Sequence, residues 1–393
     1  MNMFFPCLLF VALISGQLIR IPLWSGVTVY PHDMALVFLY LWMLWKKGWP
    51  KHITSRKLFY PLLTFIGIGI MSLLMQIPTY PVTEVLAGSA YLVRFVLYAW
   101  LYFVIAEEKD TKFWLRGLYS VGVVMGTLGI MQFFIYPDLR NVMYLGWDPH
   151  YYRLFSTLLD PNFMGIILLL TFLLGGVVLE KKQRLLPLLL QSVVGVAYIL
   201  TFSRSAYVAG FSALLFYAVA KRQWKYLLIG CIVLLCVLVI PKKGGYSASM
   251  FRLESSLARV TNWTESVQLI EKSPVIGHGF NMLRSVKTPD WQKTEEDLSH
   301  ATSGVDNSIL FVGVTTGVLG LGAFFWMLFV MGKMGKVLLQ RKKTTVFGMV
   351  YLLSFIGILV HSMFINSFFY PWVMIWLWIL TGIGEKNSKD KGQ

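Results

Sequence analysis

The sequence predicts an all-α polytopic membrane protein of about twelve transmembrane helices, with one large extracytoplasmic loop that contains an amphipathic helix. Three observations predict it. The chain is 56% hydrophobic and only 14% charged over 393 residues, with a mean hydropathy of +0.64. A soluble chain of this length cannot hide so much apolar surface. The apolar residues also fall in runs of roughly 17–25, each long enough to cross a bilayer as a helix. Finally, Lys and Arg alternate between rich and poor connections along the chain.

The expected spans lie near residues 3–19, 29–45, 58–77, 85–106, 113–135, 161–179, 185–202, 206–220, 226–240, 306–331, 346–365 and 371–384. The first lacks the basic start and small-residue cleavage site of a signal peptide, so it reads as a retained span. Only the short turn at Arg204-Ser205 separates the seventh span from the eighth. Glycines such as Gly67, Gly69, Gly122, Gly126 and Gly129 allow close helix packing. Cys7, Cys231 and Cys236 sit in apolar runs and read as small buried hydrophobes, with neither disulfide nor metal spacing.

Orientation follows from the basic residues. Connections 46–57, 107–116, 180–184, 221–225, 332–343 and the tail after 384 hold 22 of the 35 Lys and Arg. The alternate set holds 12, eight of them in the loop 241–305, which also carries seven acidic residues. The rich set is therefore expected in the cytoplasm with both termini, and the long loop outside. The net charge of +16 reflects topology and excludes a nucleic-acid partner.

That loop gathers most of the polar chemistry: Arg252, Arg259, Trp263, His278, Arg284 and His300, with Asp306 and Asn307 at its end. Leu253, Leu257, Val260, Trp263, Val267 and Ile270 recur at three- or four-residue steps, which suits an amphipathic helix lying at the membrane surface. Ser255 or Ser256 would cap its start, and Pro274 lies beyond its end. Arg252 and Arg259, seven residues apart, would share a face with Trp263 close by. Such a face suits an anionic head group.

Arg204 stands between two spans, where a guanidinium either snorkels to the interface or holds a phosphate through its bidentate fork. Arg94 lies near the middle of a span and needs a counter-charge, either Glu84 or a bound anion. Asp306 reads as a helix N-cap, as a general base with a pKa tuned by burial, or as both. His300 is the second candidate base. Arg153, Asp160, Pro161 and Asn162 close another outer loop and open a span, a local pattern that reads as structural. No Gly-rich phosphate loop, zinc spacing or HExxH is present, so no cofactor or metal is expected.

Four separated pieces resemble one family. Ser203-Arg204-Ser205-Ala206 is similar to the arginine motif of bacterial O-antigen ligases and Wzy-type polysaccharide polymerases. Arg259-x-x-x-Trp263 and Ser273-Pro274-Val275-Ile276-Gly277-His278-Gly279 resemble that family's large outer loop. Asp306-Asn307, nine residues, then Gly317-x-x-Gly320 matches the spacing of the ligase motif that begins with histidine. Arg153 through Asp160-Pro161-Asn162 resembles an upstream element.

The resemblance implies an inverting, metal-independent glycosyltransferase of a bacterial plasma membrane. It would act outside the membrane on a glycan carried by undecaprenyl diphosphate. Residues 1–152 would form an N-terminal bundle, 153–331 the catalytic region, and 332–393 the last spans and a basic cytoplasmic tail. Asp306 and His300 become the catalytic candidates. Arg204, Arg259, Arg252 and Arg94 become candidates for the donor diphosphate, with Trp263, Asn307 and Arg153 for other substrate contacts. Asp306 stands where the ligases have histidine, which favours chain polymerisation over ligation. The expected partners are the lipid-linked glycan and membrane lipid, with a flippase and a chain-length regulator as companions. A ligase with a lipid or protein acceptor is the alternative reading. A non-enzymatic flippase is the second, although its polar residues would spread along a path through many spans.

Overall fold

The computed structural model describes residues 4–24, 27–50, 52–141, 148–179, 185–239, 253–287 and 304–389. Its helices are α1 Phe4–Ile14, α2 Pro31–Lys47, α3 Phe59–Leu74, α4 Val82–Glu107, α5 Thr111–Ile135, α6 Pro161–Val178 and α7 Leu185–Leu200. They continue as α8 Arg204–Lys221, α9 Trp224–Val239, α10 Leu253–Lys272, α11 Leu283–Lys287, α12 Ser308–Gln340, α13 Thr345–His361 and α14 Pro371–Lys389. Each of the twelve expected spans coincides with a helix. Among the described residues, α4, α5, α6, α12 and α13 are long and apolar enough to cross a membrane, and α1, α3, α7 and α9 are shorter apolar helices. The protein is an all-α polytopic membrane protein.

One local element departs from that reading. Residues 20–28, expected as plain loop, hold an antiparallel pair, β1 Ile21–Trp24 with β2 Val27–Val29. Its strands are rich in Ile, Trp, Val and Thr, residues that fit a pleated surface. The three cysteines are exposed on the bundle's exterior, not buried. On a chain that faces lipid, an apolar exterior costs nothing, so small hydrophobes there need no core.

The basic connections meet at one end of the bundle. Lys47 pairs with Glu108, and Arg56 Nη2 lies 3.3 Å from Glu107. Lys389 Nζ donates to the Ser55 carbonyl at 3.2 Å, and Arg341 Nη1 to that of Asn387 at 3.0 Å. The opposite end carries residues 148–162, the start of α8, α10, and residues 304–307.

Between these ends, α14 lies along α4, α12 packs on α3 and α13, and α13 also contacts α6 and α8. The interior is aromatic, with Trp114, Trp372, Trp376 and Trp378 all fully buried.

The long helix α12 breaks at Gly317, whose φ of 61° leaves the helical region. The connection after α10 enters that break. His278 N donates to the Val314 carbonyl at 2.9 Å, and Val318 N to that of Pro274 at 2.8 Å. Ser72 of α3 ties both pieces, accepting from Gly279 N at 3.0 Å and donating to the Thr315 carbonyl at 2.6 Å. Carbonyls freed at a break within an apolar span must find donors, and here His278 N supplies one to Val314 and Ser72 one to Thr315. A Cβ on Gly317 would lie 2.3 Å from the Val275 carbonyl carbon and oxygen. Gly317→Ala is therefore expected to destabilise the fold by about 1–3 kcal/mol through overpacking and a strained φ. A lowered midpoint of thermal unfolding in detergent would show it; an unchanged midpoint would mean the two segments separate freely.

Arg94 is also settled by the fold. Its Nη2 pairs with Asp33 at 2.9 Å and donates to the Thr28 carbonyl, while Tyr98 and the Tyr30 backbone donate to the same carboxylate. The expected partner Glu84 instead accepts from Ser285. Asp33 lies two spans away, on α2, and only helix packing brings it there. Removing one member of a buried pair strands the other charge, a loss of about 3–5 kcal/mol. Arg94→Ala should thus lower the unfolding midpoint, and Asp33→Asn should lower it similarly.

Candidate functional site

The site end is organised on Arg153, which is 1% exposed. Its Nε donates to the Thr201 carbonyl at 3.1 Å, and Nη2 to the Phe202 carbonyl and Asn162 Oδ1, both at 3.3 Å. Nη1 lies 3.4 Å from His150 Nδ1. These bonds brace the α7–α8 turn against the start of α6. The carbonyls at the end of a helix lack intrahelical donors, and a guanidinium fork satisfies two of them at once. Asp160 caps α6 by accepting from Asn162 N at 2.6 Å and Phe163 N at 3.3 Å, with Pro161 in the first turn, as the local sequence predicts.

Arg204 opens α8 immediately after its cap, Ser203. Its Nη1 donates to Ser256 Oγ at 2.9 Å, which joins α8 to α10. The amphipathic helix forms as expected and runs from Leu253, so positions 255 and 256 lie within its first turn and not ahead of it. Arg259, Asn262, Trp263, Ser266, Leu269 and Ile270 turn toward the protein, while Leu257 and Val260, each 56% exposed, and Val267, 46% exposed, face out. An outward apolar strip suits a helix at a membrane surface.

Asn262 and Trp263 grip the entry to α12. Asn262 Oδ1 accepts from Asp306 N at 3.1 Å, its Nδ2 donates to the Gly304 carbonyl at 3.0 Å, and Trp263 Nε1 donates to the Asp306 carbonyl at 3.3 Å. The cap of α12 is Asn307, whose Oδ1 accepts from Ile309 N at 2.8 Å and Leu310 N at 3.1 Å. Asp306 therefore does not cap, contrary to one expectation. Its backbone is held and its carboxylate is left to other work.

The electrostatics join these pieces. Burial pushes the Asp306 carboxyl above its ordinary range, Arg259 pulls it partly back, Asp160 raises it and Lys287 lowers it. Asp160 is raised by burial against its capping bonds and the charges of Arg153 and Arg259. Asp148 is pushed up to about 6 by burial and by Asp160 and Asp306, against Arg153. Three carboxyl groups and two guanidinium groups thus share one field, in which the Arg259 charge acts on both Asp160 and Asp306.

Arg259, Trp263, Asp306 and Asn307 lie together where α10 meets the start of α12, Arg204 joins α10 through Ser256, and Arg153 braces the α7–α8 turn that carries Arg204. Arg94 belongs to the separate Asp33 cluster. Arg252 and His300 lie outside the described residues. Sequence reasoning missed Asp148 and His150, for which Asp148-x-His150 in an outer loop was the only signal. Ligand atoms of Asp148, His150 and Asp160 lie within 4.8 Å of one another, a spacing that a cation could bridge. Arg153 already supplies positive charge at that point.

The O-antigen ligase family model matches residues 188–325. This segment resembles the O-antigen ligase family. It contains Arg204, Arg259, Trp263, Asp306 and Asn307, together with the glycines that interlock at the α12 break. A curated protein named O-antigen ligase, from Salmonella typhimurium (strain LT2), is 28% identical over 181 residues. The matched stretch covers 42% of this chain and 43% of that relative, so the chain spans less than half the relative's length.

Proposed function

We propose that this protein polymerises undecaprenyl-diphosphate-linked repeat units at the outer face of a bacterial plasma membrane. The observation that carries the reading is Asp306, a non-capping carboxylate with a raised pKa, anchored by α10 beside Arg259. Arg204 and Arg259 hold the donor diphosphate and neutralise the charge that develops as it leaves. Asp306 accepts the proton of an acceptor hydroxyl. The hydroxyl oxygen attacks the anomeric carbon from the opposite face, the bond to phosphate breaks, and its electron pair stays with the diphosphate. The product is inverted, and the chemistry calls for no metal.

The acceptor is a second lipid-linked unit, because Asp306 replaces the histidine of the ligase motif. The name of the Salmonella relative favours a second reading, ligation to a lipid or protein. The purified protein in nanodiscs, given lipid-linked repeat units alone, distinguishes them. Longer glycans without added acceptor support polymerisation, while product only after acceptor is added supports ligation. Movement across a bilayer without transfer would leave neither enzyme reading standing.

The charge asymmetry supports placing the site end outside and both termini inside. Single cysteines at Ser249 and Ser55, in a chain lacking its native cysteines, test this in intact cells. An impermeant maleimide should label Ser249→Cys and spare Ser55→Cys. The reverse pattern would invert the topology.

A further inference from the structure

Beneath the arginines runs a file of buried hydroxyl groups that the proposed reaction leaves unused. His361, fully buried, ends α13. Its Nδ1 lies 2.6 Å from Ser367 Oγ and its Nε2 lies 3.2 Å from Ser205 Oγ. Ser205 Oγ is 3.2 Å from Ser203 Oγ, which donates to Asn162 Oδ1 at 3.0 Å. The same Asn162 oxygen receives Arg153 Nη2 at 3.3 Å. The file therefore joins α13, the two serines that flank Arg204, the first turn of α6 and the Arg153 brace.

The available protons give the file a direction. Asn162 Oδ1 only accepts, so the Ser203 proton goes to it. Ser203 must then accept from Ser205, and Ser205 from Nε2–H of His361. Nδ1 is left with a lone pair, which accepts the Ser367 proton. In the other tautomer the Ser205 proton goes to Nε2, and the oxygens of Ser203 and Ser205 face each other with no hydrogen between them. Ser203 Oγ still accepts from Ala206 N at 3.4 Å, so that tautomer loses the Ser203–Ser205 bond alone, and the fuller set of buried bonds assigns the Nε2–H tautomer.

We propose that His361 is a positioning residue for the donor site. By holding Ser205 and Ser203 it fixes the backbone on both sides of Arg204, whose guanidinium reaches α10 at Ser256. By ordering Asn162 it also fixes one bond of Arg153. The proposal rests on the reading that Arg204 holds the donor diphosphate. A histidine that merely fills space would be replaceable by any side chain of similar volume.

His361→Leu keeps volume and breaks the file, whereas His361→Gln offers an amide N–H and a carbonyl that can restore both bonds. The leucine variant is expected to raise KM for the lipid diphosphate donor about tenfold with a smaller change in kcat, the loss of one buried bond. Glutamine should recover most of that. Ser205→Ala should match leucine, and the double variant should be no worse than either single one, since both cut the same file. Glutamine as poor as leucine, additive losses, or a fall in kcat alone would overturn the proposal.

A second measurement needs no transfer chemistry. In the full-length protein carrying 15N-histidine, the His361 resonances, assigned by their loss in His361→Gln, should report the Nε2–H tautomer. Ser205→Ala should change them. If the wild type transfers no glycan, the functional reading fails, and the nitrogen shifts still decide the file. An Nδ1–H tautomer, or shifts unmoved by Ser205→Ala, would sink it.

Discussion

Asp306→Asn is expected to lower glycan transfer by about two to four orders of magnitude, the usual worth of a positioned general base. The protein should remain folded. Asn307, not Asp306, caps α12, and the bonds from Asn262 and Trp263 use only the Asp306 backbone. Asparagine keeps the shape and removes only the basicity. Wild-type activity should also fall at low pH, because the base must be ionised. Burial raises the Asp306 carboxyl, so its proton is held to higher pH than in a free aspartate and the acid limb is displaced upward.

The same shift has a consequence for stability. A carboxyl raised in the folded state costs stability as pH climbs through its folded pKa. Asp306→Asn should therefore unfold at higher temperature near neutral pH, and lose that advantage below the unfolded value near 3.9. Rates over a pH series, with unfolding midpoints alongside, check both. His300→Ala should cost less activity. A normal Asp306→Asn enzyme with a dead His300→Ala partner would pass the role of base to His300.

Much of the architecture was legible because a span needs only length and hydropathy. The apolar run from 161 predicts α6 with its Asp160 cap, and the structure begins that helix at Pro161. The periodicity after Leu253 predicts α10. What local pattern cannot supply is the rotation of one helix against another. Arg94 looked to Glu84 on its own span, while packing gave it Asp33 from α2. The rotation of α10 is set in the same way: Trp263 and Ile270 of its apolar stripe turn toward the protein with Arg259 and Asn262, while Leu257, Val260 and Val267 turn out.

The site divides along the same line. Arg204, Arg259 and Asp306 stood out because charges beside apolar spans are costly. Asp148 and His361 did not, because each matters through partners far away in sequence, Asp306 for the one and Ser205 for the other. Gly277 and Gly317 were visible as letters of motifs. Their interlocking, with a Gly277 Cβ placed 2.5 Å from the Thr315 carbonyl carbon, exists only once α12 breaks.

Arg204→Ala and Arg259→Ala should each reduce transfer by about two to three orders of magnitude, the typical cost of removing one preorganised donor from a developing anion. The two losses should differ in kind. Arg204 also bonds Ser256, so alanine there loosens α8 from α10 and should raise donor KM as well as lower kcat. Arg259 acts on Asp306 and Asp160 through its charge. Without it both carboxyl groups rise further, so the acid limb of Arg259→Ala should move to higher pH than in wild type, and that of Arg204→Ala should not. Lysine should rescue little at Arg204, where a planar fork must reach Ser256 and an oxyanion together. At Arg259 lysine should return the acid limb toward wild type, since a point charge suffices for that, while leaving the rate low. Full activity with lysine at both positions would show that fork geometry is dispensable, and unmoved pH profiles would separate Arg259 from the base.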